Sequence, residues 1–206
     1  MNVAIVNYGM GNLASVEKAV ETLGHSAFVV DDPAHIRVSE RLILPGVGAF
    51  GEGMDRLERG GWVEPIRSAA AAGKPLLGIC LGMQFLADRG KEGAEREGLG
   101  LIPGEIVSLR ELGCQERVPH VGWNETCATR DDPLFARLPE SADYYYVHSY
   151  AFSPASADNV LATVDYGCDI TAVIRSGRIW GTQFHPEKSS KAGLQLLRNF
   201  IELGEC

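Results

Sequence analysis

Short apolar runs that alternate with helical patterns dominate the first half of the chain. Asn2 to Asn7 (NVAIVN), Arg41 to Leu44 (RLIL) and Pro75 to Ile79 (PLLGI) are such runs, and apolar residues at helical spacing stand between them. A strand that rejoins its sheet by way of a helix runs parallel to its predecessor, through a right-handed crossover. The pattern therefore predicts an α/β fold with a mostly parallel central sheet and helices on both faces.

The second half of the chain has a different texture. Segments such as GEIVSL, HVGWNE, DYYYVHSYAF and NVLATVDYG are short and strand-like, and few helical patterns separate them. Within ITAVIRSGRIWGTQF, the pair Ser176-Gly177 suits a hairpin turn. These strands predict an antiparallel extension in the C-terminal half. No linker or abrupt shift in charge divides residues 1–206, so we expect a single domain.

Composition argues against several kinds of partner. The net charge is −8 and basic residues are scattered, so no nucleic acid is expected. No run approaches the roughly 18 apolar residues of a membrane span, and no cationic segment precedes the first apolar run, so we expect a cytoplasmic protein. The cysteines show no Cys-x-x-Cys pair or metal spacing, which predicts reduced thiols and no metal site. They are Cys80, Cys114, Cys127, Cys168 and Cys206.

The stretch GICLG, from Gly78 to Gly82, has the form Gly-x-Cys-x-Gly where a predicted strand meets a predicted helix. This form is the thiol counterpart of the nucleophile elbow. The glycines permit a turn too tight for β-carbons, which exposes Cys80 at the carboxyl edge of the sheet, and the helix N-terminus favours a thiolate. The amide of Leu81 is left free to bind an oxyanion. A packed strand with an incidental cysteine is the alternative.

A candidate base for Cys80 lies in QFHPE. The proline that follows His185 keeps this histidine extended, and residues two apart on an extended segment face the same side. Glu187 can therefore hold one tautomer of His185, which leaves the other nitrogen to take a proton from the thiol. An exposed loop before a helix is the alternative reading. His25 and His35 lie near no acidic or thiol motif, and we assign them no role.

A third feature is the glycine-rich turn after the third predicted strand. Gly46, Val47 and Gly48 follow that strand directly, so they should lie at the same sheet edge as Cys80. Glycines let backbone amides approach a reacting carbonyl closely and so supply the rest of an oxyanion hole. An ordinary turn would also explain this sequence.

Together the three motifs resemble the class I, or triad-type, glutamine amidotransferases. LPGVGAF, GICLGMQ and GTQFHPEKS occur in that family's order, and the resemblance covers essentially the whole chain. It implies a flavodoxin-like fold, glutamine as substrate and no cofactor. It also implies that Cys80 attacks the side-chain amide of glutamine to form a thioester, with His185 as base and Glu187 as its partner.

The resemblance further implies a set of pocket residues. Gln84 would contact the amino-acid end of glutamine, and the backbone around His148 would complete the pocket, with its imidazole taking no part in the chemistry. The residues implied to bind the substrate or the oxyanion are Gly46, Val47, Gly48, Leu81, Gln84, His148, Ser149 and Tyr150.

Within the family, four stretches are most similar to the glutaminases that serve imidazole glycerol phosphate synthesis in histidine biosynthesis. They are VNYGMGNL, PGVG, PHVGWNE and YYVHSY. That branch implies a separate (β/α)₈ barrel cyclase subunit that receives the ammonia in a heterodimer. Trp123 and Lys188 are candidates for the surface facing the barrel, and the alternatives are a core tryptophan and a solvated lysine.

Two other functions stay open from the sequence. The chain could serve another synthase, such as one making anthranilate, carbamoyl phosphate or pyridoxal phosphate. PGVG and HVGWNE argue against this. It could also be a non-catalytic scaffold of the same fold, although intact Cys80, His185 and Glu187 argue against decay.

Overall fold

The computed structural model describes residues 1–203, in which strands and helices alternate through the first half. The strands are β1 (Asn2–Val6), β2 (Ser26–Val30), β3 (Arg41–Gly46), β4 (Leu76–Cys80), β5 (Arg89–Gly90), β6 (Arg96–Glu97), β7 (Gly104–Ser108), β8 (His120–Ala128), β9 (Ser141–His148), β10 (Tyr150–Pro154), β11 (Val160–Asp165), β12 (Asp169–Ser176) and β13 (Ile179–Thr182). The helices are α1 (Leu13–Thr22), α2 (Phe50–Arg59), α3 (Val63–Ala71), α4 (Leu81–Gln84) and α5 (Ser190–Glu202). Within residues 1–203 no helix is long and apolar enough to cross a membrane.

Among residues 1–203, nine strands form the main sheet, in the order β2-β1-β3-β4-β13-β12-β11-β8-β9. The first five run parallel, and the remaining four continue the sheet in antiparallel pairs. The predicted α/β fold and its antiparallel extension are therefore confirmed. The sequence did not reveal a second sheet, in the order β10-β7-β5-β6. The hairpin between β12 and β13 turns at Gly177-Arg178, one residue later than predicted, because Ser176 still pairs with Ile179.

The main sheet separates two apolar cores, and β1 shows how the sequence builds them. Val3 and Ile5 pack on one face, in the core that contains the apolar residues of α1 and α5. Ala4 and Val6 pack on the other face, with α2 and α3. Because successive strand residues face opposite sides, an unbroken apolar run suits a strand covered on both faces.

Two of the cysteines are not the reduced thiols that the sequence predicts. Cys114 and Cys168 are joined by a disulfide, with Cα atoms 5.0 Å apart, so the prediction of reduced thiols is wrong for this pair. The two residues lie 54 positions apart, and only the folded chain brings the loop after β7 to the turn between β11 and β12. Cys80 and Cys127 are free, and Cys206 lies outside the described residues.

At two positions, Gly78 and Gly82, the junction of β4 and α4 has no room for a side chain. A β-carbon on Gly82 would overlap the backbone carbonyl of Leu44 in β3, and one on Gly78 would lie only 2.5 Å from the carbonyl oxygen of Gly82. The missing side chains thus let α4 fold directly back onto the ends of β3 and β4. This close approach places Cys80 at the carboxyl edge of the sheet, opposite Gly46 in the register of β3 and β4.

We expect Gly82→Ala to lower the free energy of unfolding by about 3 kcal/mol or more, because the new methyl group meets a backbone carbonyl that cannot move without disturbing β3. Gly51→Ala is the matched control. Its β-carbon would lie 3.6 Å from the nearest atom and α2 would gain helix propensity of ~0.5–1 kcal/mol. Urea denaturation measures both. Equal midpoints for Gly82→Ala and the unmodified chain would contradict the close approach.

Candidate active site

Cys80 ends β4 in a strained backbone conformation. Its φ of 54° and ψ of −112° lie in a region that non-glycine residues rarely adopt. Such strain persists only where the surrounding packing enforces it, as the β4–α4 junction does here. The helix that follows is a single turn, Leu81–Gln84, so its dipole contributes less to a thiolate than the sequence suggested. Stabilisation of a thiolate must come mainly from neighbouring side chains.

His185 and Glu187 form a buried pair near Cys80. His185 Nδ1 lies 2.8 Å from Glu187 Oε1, and the two side chains are 2% and 1% exposed. His185 is extended, as predicted, but Glu187 lies in a 3₁₀ turn, Pro186–Lys188, so the turn brings the two together. Ser189 fixes this turn, because its hydroxyl donates to the His185 carbonyl and accepts from the Tyr145 amide.

The charge on His185 depends on its two neighbours. Burial disfavours the imidazolium, but interactions with Cys80 and Glu187 outweigh it and raise the pKa of His185 to about 9. Since Glu187 occupies Nδ1, Nε2 is the nitrogen that remains for Cys80. Within residues 1–203 Nε2 has no hydrogen-bond partner, so it faces the pocket available to Cys80, whose proximity contributes to the raised pKa of His185. At neutral pH the imidazolium form of His185 therefore lies beside Cys80.

A pocket of about 230 Å³ opens above the thiol. Its lining includes these predicted residues: Val47, Gly48, Cys80, Leu81, Gln84, His148, Ser149, Tyr150 and His185. Glu92, Pro119 and Val147 also line it, and sequence reasoning missed them. Gly46 lies below the pocket as the register partner of Cys80, and Glu187 lies behind His185.

The two residues predicted to face a partner lie outside this pocket. Trp123 on β8 is 52% exposed, so the alternative of a core tryptophan is wrong. Lys188 is exposed at the end of the 3₁₀ turn that contains Glu187, with its Nζ 5.9 Å from the centroid of the Tyr145 ring. Trp123 also contacts Tyr145, with ring centroids 6.1 Å apart. The two candidates therefore flank one aromatic side chain.

Glutamine side chains connect the pocket lining to the Cys80 thiol. Gln84 Nε2 donates to the Tyr150 carbonyl at 3.0 Å and to Gln183 Oε1 at 3.1 Å. Gln183 Nε2 in turn donates to Cys80 Sγ at 3.8 Å. Sequence reasoning missed Gln183, although it stands two residues before His185 and the same period-two argument that placed Glu187 could have found it.

Tyr8 is a second residue that sequence reasoning missed. Burial, together with the charge of Cys80, raises the pKa of this tyrosine far above its ordinary value. Its hydroxyl has no hydrogen-bond partner in residues 1–203, and a β-carbon on Gly46 would lie 2.6 Å from it. The neutral Tyr8 hydroxyl thus underlies the glycine-rich turn beside the thiol.

Fold and site together define an α/β protein with a cysteine at a strand-to-helix elbow and a histidine–glutamate pair just beyond the end of the neighbouring strand β13. The family model "Glutamine amidotransferase class-I" matches residues 4–203. The chain therefore belongs to the class-I glutamine amidotransferase family.

Curated relatives refine this placement. Proteins named "Imidazole glycerol phosphate synthase subunit HisH" match over nearly their whole length. The one from Moorella thermoacetica is 46% identical, covering 98% of this chain and 94% of the relative. The one from Syntrophotalea carbinolica is 46% identical over 98% and 100%, and the one from Symbiobacterium thermophilum is 49% identical over 96% and 92%.

Solved structures support the fold. A structure described as a glutamine amidotransferase superposes with a TM-score of 0.77 at 21% identity, covering 98% of this chain and 99% of the other. The structure of PurLQS from Thermotoga maritima gives a TM-score of 0.76 at 19% identity, covering 98% and 97%. At these identities the likeness shows the fold alone.

We expect Glu187→Gln to lower the pKa of His185, because the carboxylate is one of the two neighbours that keep the imidazolium charged in a buried site. In the unmodified chain, the stabilisation from protonated His185 is complete below its unfolded pKa of about 6.5 and is lost as pH rises through about 9. In the variant this loss occurs at lower pH. Titration of the His185 ring by NMR measures both midpoints.

Glu202→Gln is the matched control for this titration. Glu202 pairs with a different histidine, His25, at 3.3 Å, so its loss should leave His185 unchanged. An identical His185 midpoint in Glu187→Gln and the unmodified chain would show that the carboxylate does not control the base.

Proposed function

We propose that this chain is the glutaminase subunit of imidazole glycerol phosphate synthase, one domain over residues 1–206 that hydrolyses glutamine to glutamate and ammonia. The curated relatives supply the name of the complex, and their near-complete coverage supports it. The observation that carries the chemistry is a strained Cys80 sharing one pocket with a buried His185–Glu187 pair.

In the first half of the reaction, the Cys80 thiolate attacks the side-chain amide carbon of glutamine. The negative charge that develops on the amide oxygen is met by backbone amides of Leu81 and of the turn formed by Gly46, Val47 and Gly48. The His185 imidazolium gives its proton to the leaving nitrogen. The carbon–nitrogen bond breaks, ammonia departs, and a thioester and a neutral imidazole remain.

In the second half, water opens the thioester. Neutral His185 takes a proton from water as the hydroxyl oxygen bonds to the thioester carbon. The carbon–sulfur bond then breaks to release glutamate, and the Cys80 thiolate and His185 imidazolium are restored. Glu187 stabilises the imidazolium each time it forms, and Gln183 offers a hydrogen bond to the sulfur.

The far end of glutamine is held by the opposite side of the pocket. Both Nε2 hydrogens of Gln84 are used within the protein, so only its carbonyl oxygen can accept from a ligand. That oxygen suits the α-ammonium group of glutamine, and Glu92 adds a negative charge to the same pocket. The backbone at Ser149 and Tyr150 and the buried ring of His148 complete the wall.

Ammonia needs a sheltered route, because in neutral water it is mostly protonated and no longer nucleophilic. We propose that a (β/α)₈ barrel cyclase subunit covers the pocket mouth. Val47 (39% exposed) and Val147 (39%) are exposed apolar side chains at the pocket. Val121 (54%) is the register partner of Val147 across β8 and β9, and Trp123 (52%) lies two residues further along β8. Val47 and Val147 also line the pocket, so this apolar surface is continuous with the proposed site of ammonia release.

We expect Cys80→Ala to abolish glutamine hydrolysis, because no other nucleophile lines the pocket at that position, while synthesis from added ammonium salt by the complex persists. Cys127→Ala is the matched control, since Cys127 is the other free cysteine of residues 1–203 and is exposed on β8. Glutamate release measures the first activity. Retained hydrolysis by Cys80→Ala would overturn the proposed function, and loss of activity in Cys127→Ala would show a nonspecific effect.

We expect Trp123→Ala to weaken the complex with the barrel by about tenfold or more, because exposed tryptophans at interfaces commonly contribute ~2 kcal/mol. Lys188→Ala should lower affinity or the glutaminase rate that the liganded barrel stimulates. Val38→Ala, which changes a 69% exposed side chain that does not line the pocket, is the control. Titration calorimetry and coupled turnover measure these effects. Unchanged affinity and rate for both variants would remove them from the interface.

The alternatives differ in measurable ways. A glutaminase of another synthase would activate a different partner, so testing which synthase the chain stimulates separates the two. A non-catalytic scaffold would leave Cys80 unlabelled by a glutamine-like electrophile even with its partner bound. We also propose that the glycine-rich turn completes the oxyanion hole only in the liganded complex. Equal turnover by the isolated chain would refute that idea.

A further inference from the structure

His120 and His148 are buried titratable groups that the proposed chemistry does not use. Their positions are register partners on β8 and β9, which places the two rings side by side. His120 is 2% exposed and His148 6% exposed. The ring of His120 is stacked between Tyr146 and Tyr166, with centroid distances of 4.7 Å and 3.9 Å.

The hydrogen bonds of His148 fix its tautomer. Its Nδ1 lies 2.8 Å from the Tyr150 carbonyl oxygen, which can only accept, so Nδ1 carries the proton. In a neutral ring Nε2 must then accept. His120 Nδ1 lies 3.0 Å from that Nε2 and must donate to it.

The same reasoning fixes His120. With Nδ1 protonated, Nε2 of the neutral ring accepts, and the amide nitrogen of Asn124 lies 3.4 Å away. The amide of Asn124 cannot be reversed, because its nitrogen also donates to the Asp165 carbonyl and its oxygen accepts from the Glu125 amide. A charged His148 would force His120 to present a donor to the Asn124 nitrogen, so only two neutral rings satisfy every contact.

The electrostatic setting agrees with this assignment. Burial lowers the pKa of His120 to about 4 and that of His148 to about 3, and the charge of neighbouring His185 further disfavours a second imidazolium at His148. Both rings therefore remain neutral near neutral pH, where His185 is charged.

This chain of donors leads to the nucleophile. The Tyr150 carbonyl that His148 holds is the same one that accepts from Gln84. Gln84 donates its other hydrogen to Gln183, whose amide donates to Cys80 Sγ. The Tyr150 carbonyl therefore orients the side-chain amide of Gln84, and Gln84 in turn orients the side-chain amide of Gln183.

We propose that His120 and His148 are positioning residues, locked as neutral Nδ1–H tautomers, that hold the Tyr150 carbonyl and thereby orient the amides of Gln84 and Gln183 beside Cys80. Neither imidazole exchanges a proton with substrate. Loss of the donor on His120 leaves His148 Nε2 buried without a partner, and the ring must then turn or change tautomer, which releases the Tyr150 carbonyl. The substrate pocket loosens, while the nucleophile itself remains.

The first test is long-range ¹H–¹⁵N NMR of the imidazoles in the free, full-length chain. We expect protonated Nδ1 and unprotonated Nε2 on both His120 and His148 from about pH 5.5 to 8, where an unperturbed histidine would titrate. A protonated Nε2 on either ring, or titration within this range, would overturn the proposal. This test does not depend on glutaminase activity.

The second test compares two substitutions of His120. His120→Phe keeps a ring to stack on the tyrosines but removes the donor, whereas His120→Asn can place an N–H near the position of Nδ1. We expect His120→Phe to raise the concentration of a diazoketone analogue of glutamine needed for half-maximal labelling of Cys80 by about tenfold, the equivalent of one lost hydrogen bond, with little change in the maximal rate. His120→Asn should recover most of this loss, and His35→Phe, on an exposed 3₁₀ turn, should behave like the unmodified chain.

This labelling arm rests on the proposed function, so its outcomes are separable. Equal losses in His120→Phe and His120→Asn would show a merely structural role and would overturn the proposal. If His120→Phe does not fold, Asn124→Leu replaces it, because it removes the donor to His120 Nε2. We expect the same rise in the analogue concentration needed for half-maximal labelling. Failure of the analogue to label the unmodified chain, alone and in the complex, contradicts the glutaminase assignment and leaves the NMR result to decide the tautomers.

Discussion

The close approach of α4 to the ends of β3 and β4 is the constraint on which the site depends. Because Gly82 lies against the Leu44 carbonyl, the chain has no room to leave β4 gradually, and Cys80 takes the resulting strain. β3, β4 and β13 are parallel neighbours, so their carboxyl ends meet at one edge. The glycine-rich turn and His185 therefore reach the thiol through short connections. The order of the strands in the sheet, rather than the conformation of long loops, therefore brings these groups together.

Two buried histidines a short distance apart have opposite electrostatic properties. His185 has its pKa raised to about 9, whereas His148 has its pKa lowered to about 3. Burial disfavours the charged form of both. The difference lies in their partners, because His185 interacts with Cys80 and with the Glu187 carboxylate, whereas Nδ1 of His148 meets a neutral carbonyl. The interactions of His185 outweigh the desolvation of its imidazolium, whereas the hydrogen bond from His148 to one carbonyl does not. The pocket thus contains one charged imidazole beside one neutral imidazole near neutral pH.

The sequence predicted what is local and missed what the register of distant strands creates. Gly-x-Cys-x-Gly and His-Pro-Glu act within a few residues, and their turns follow from glycine and proline geometry, so Cys80 and the His185–Glu187 pair could be placed. His120 and His148 meet only because β8 pairs with β9, and no local pattern contains both. The Cys114–Cys168 bond and the second sheet likewise depend on contacts between segments far apart in the chain. Glu92 was missed because its acidic surroundings resemble an ordinary solvated loop.

The antiparallel extension joins the pocket to the surface that we propose faces the partner. On β9, Val147 points outward at 39% exposure while the next residue, His148, is buried against Tyr150. On β8, the buried His120 likewise precedes the exposed Val121. Successive residues of a strand face opposite sides of the sheet. Because they share one backbone, a movement of the strand displaces both. A partner that shifts these two strands on docking therefore also shifts the hydrogen bonds that orient Gln84 and Gln183. Confining the full alignment of the pocket to the complex would couple ammonia release to the presence of an acceptor.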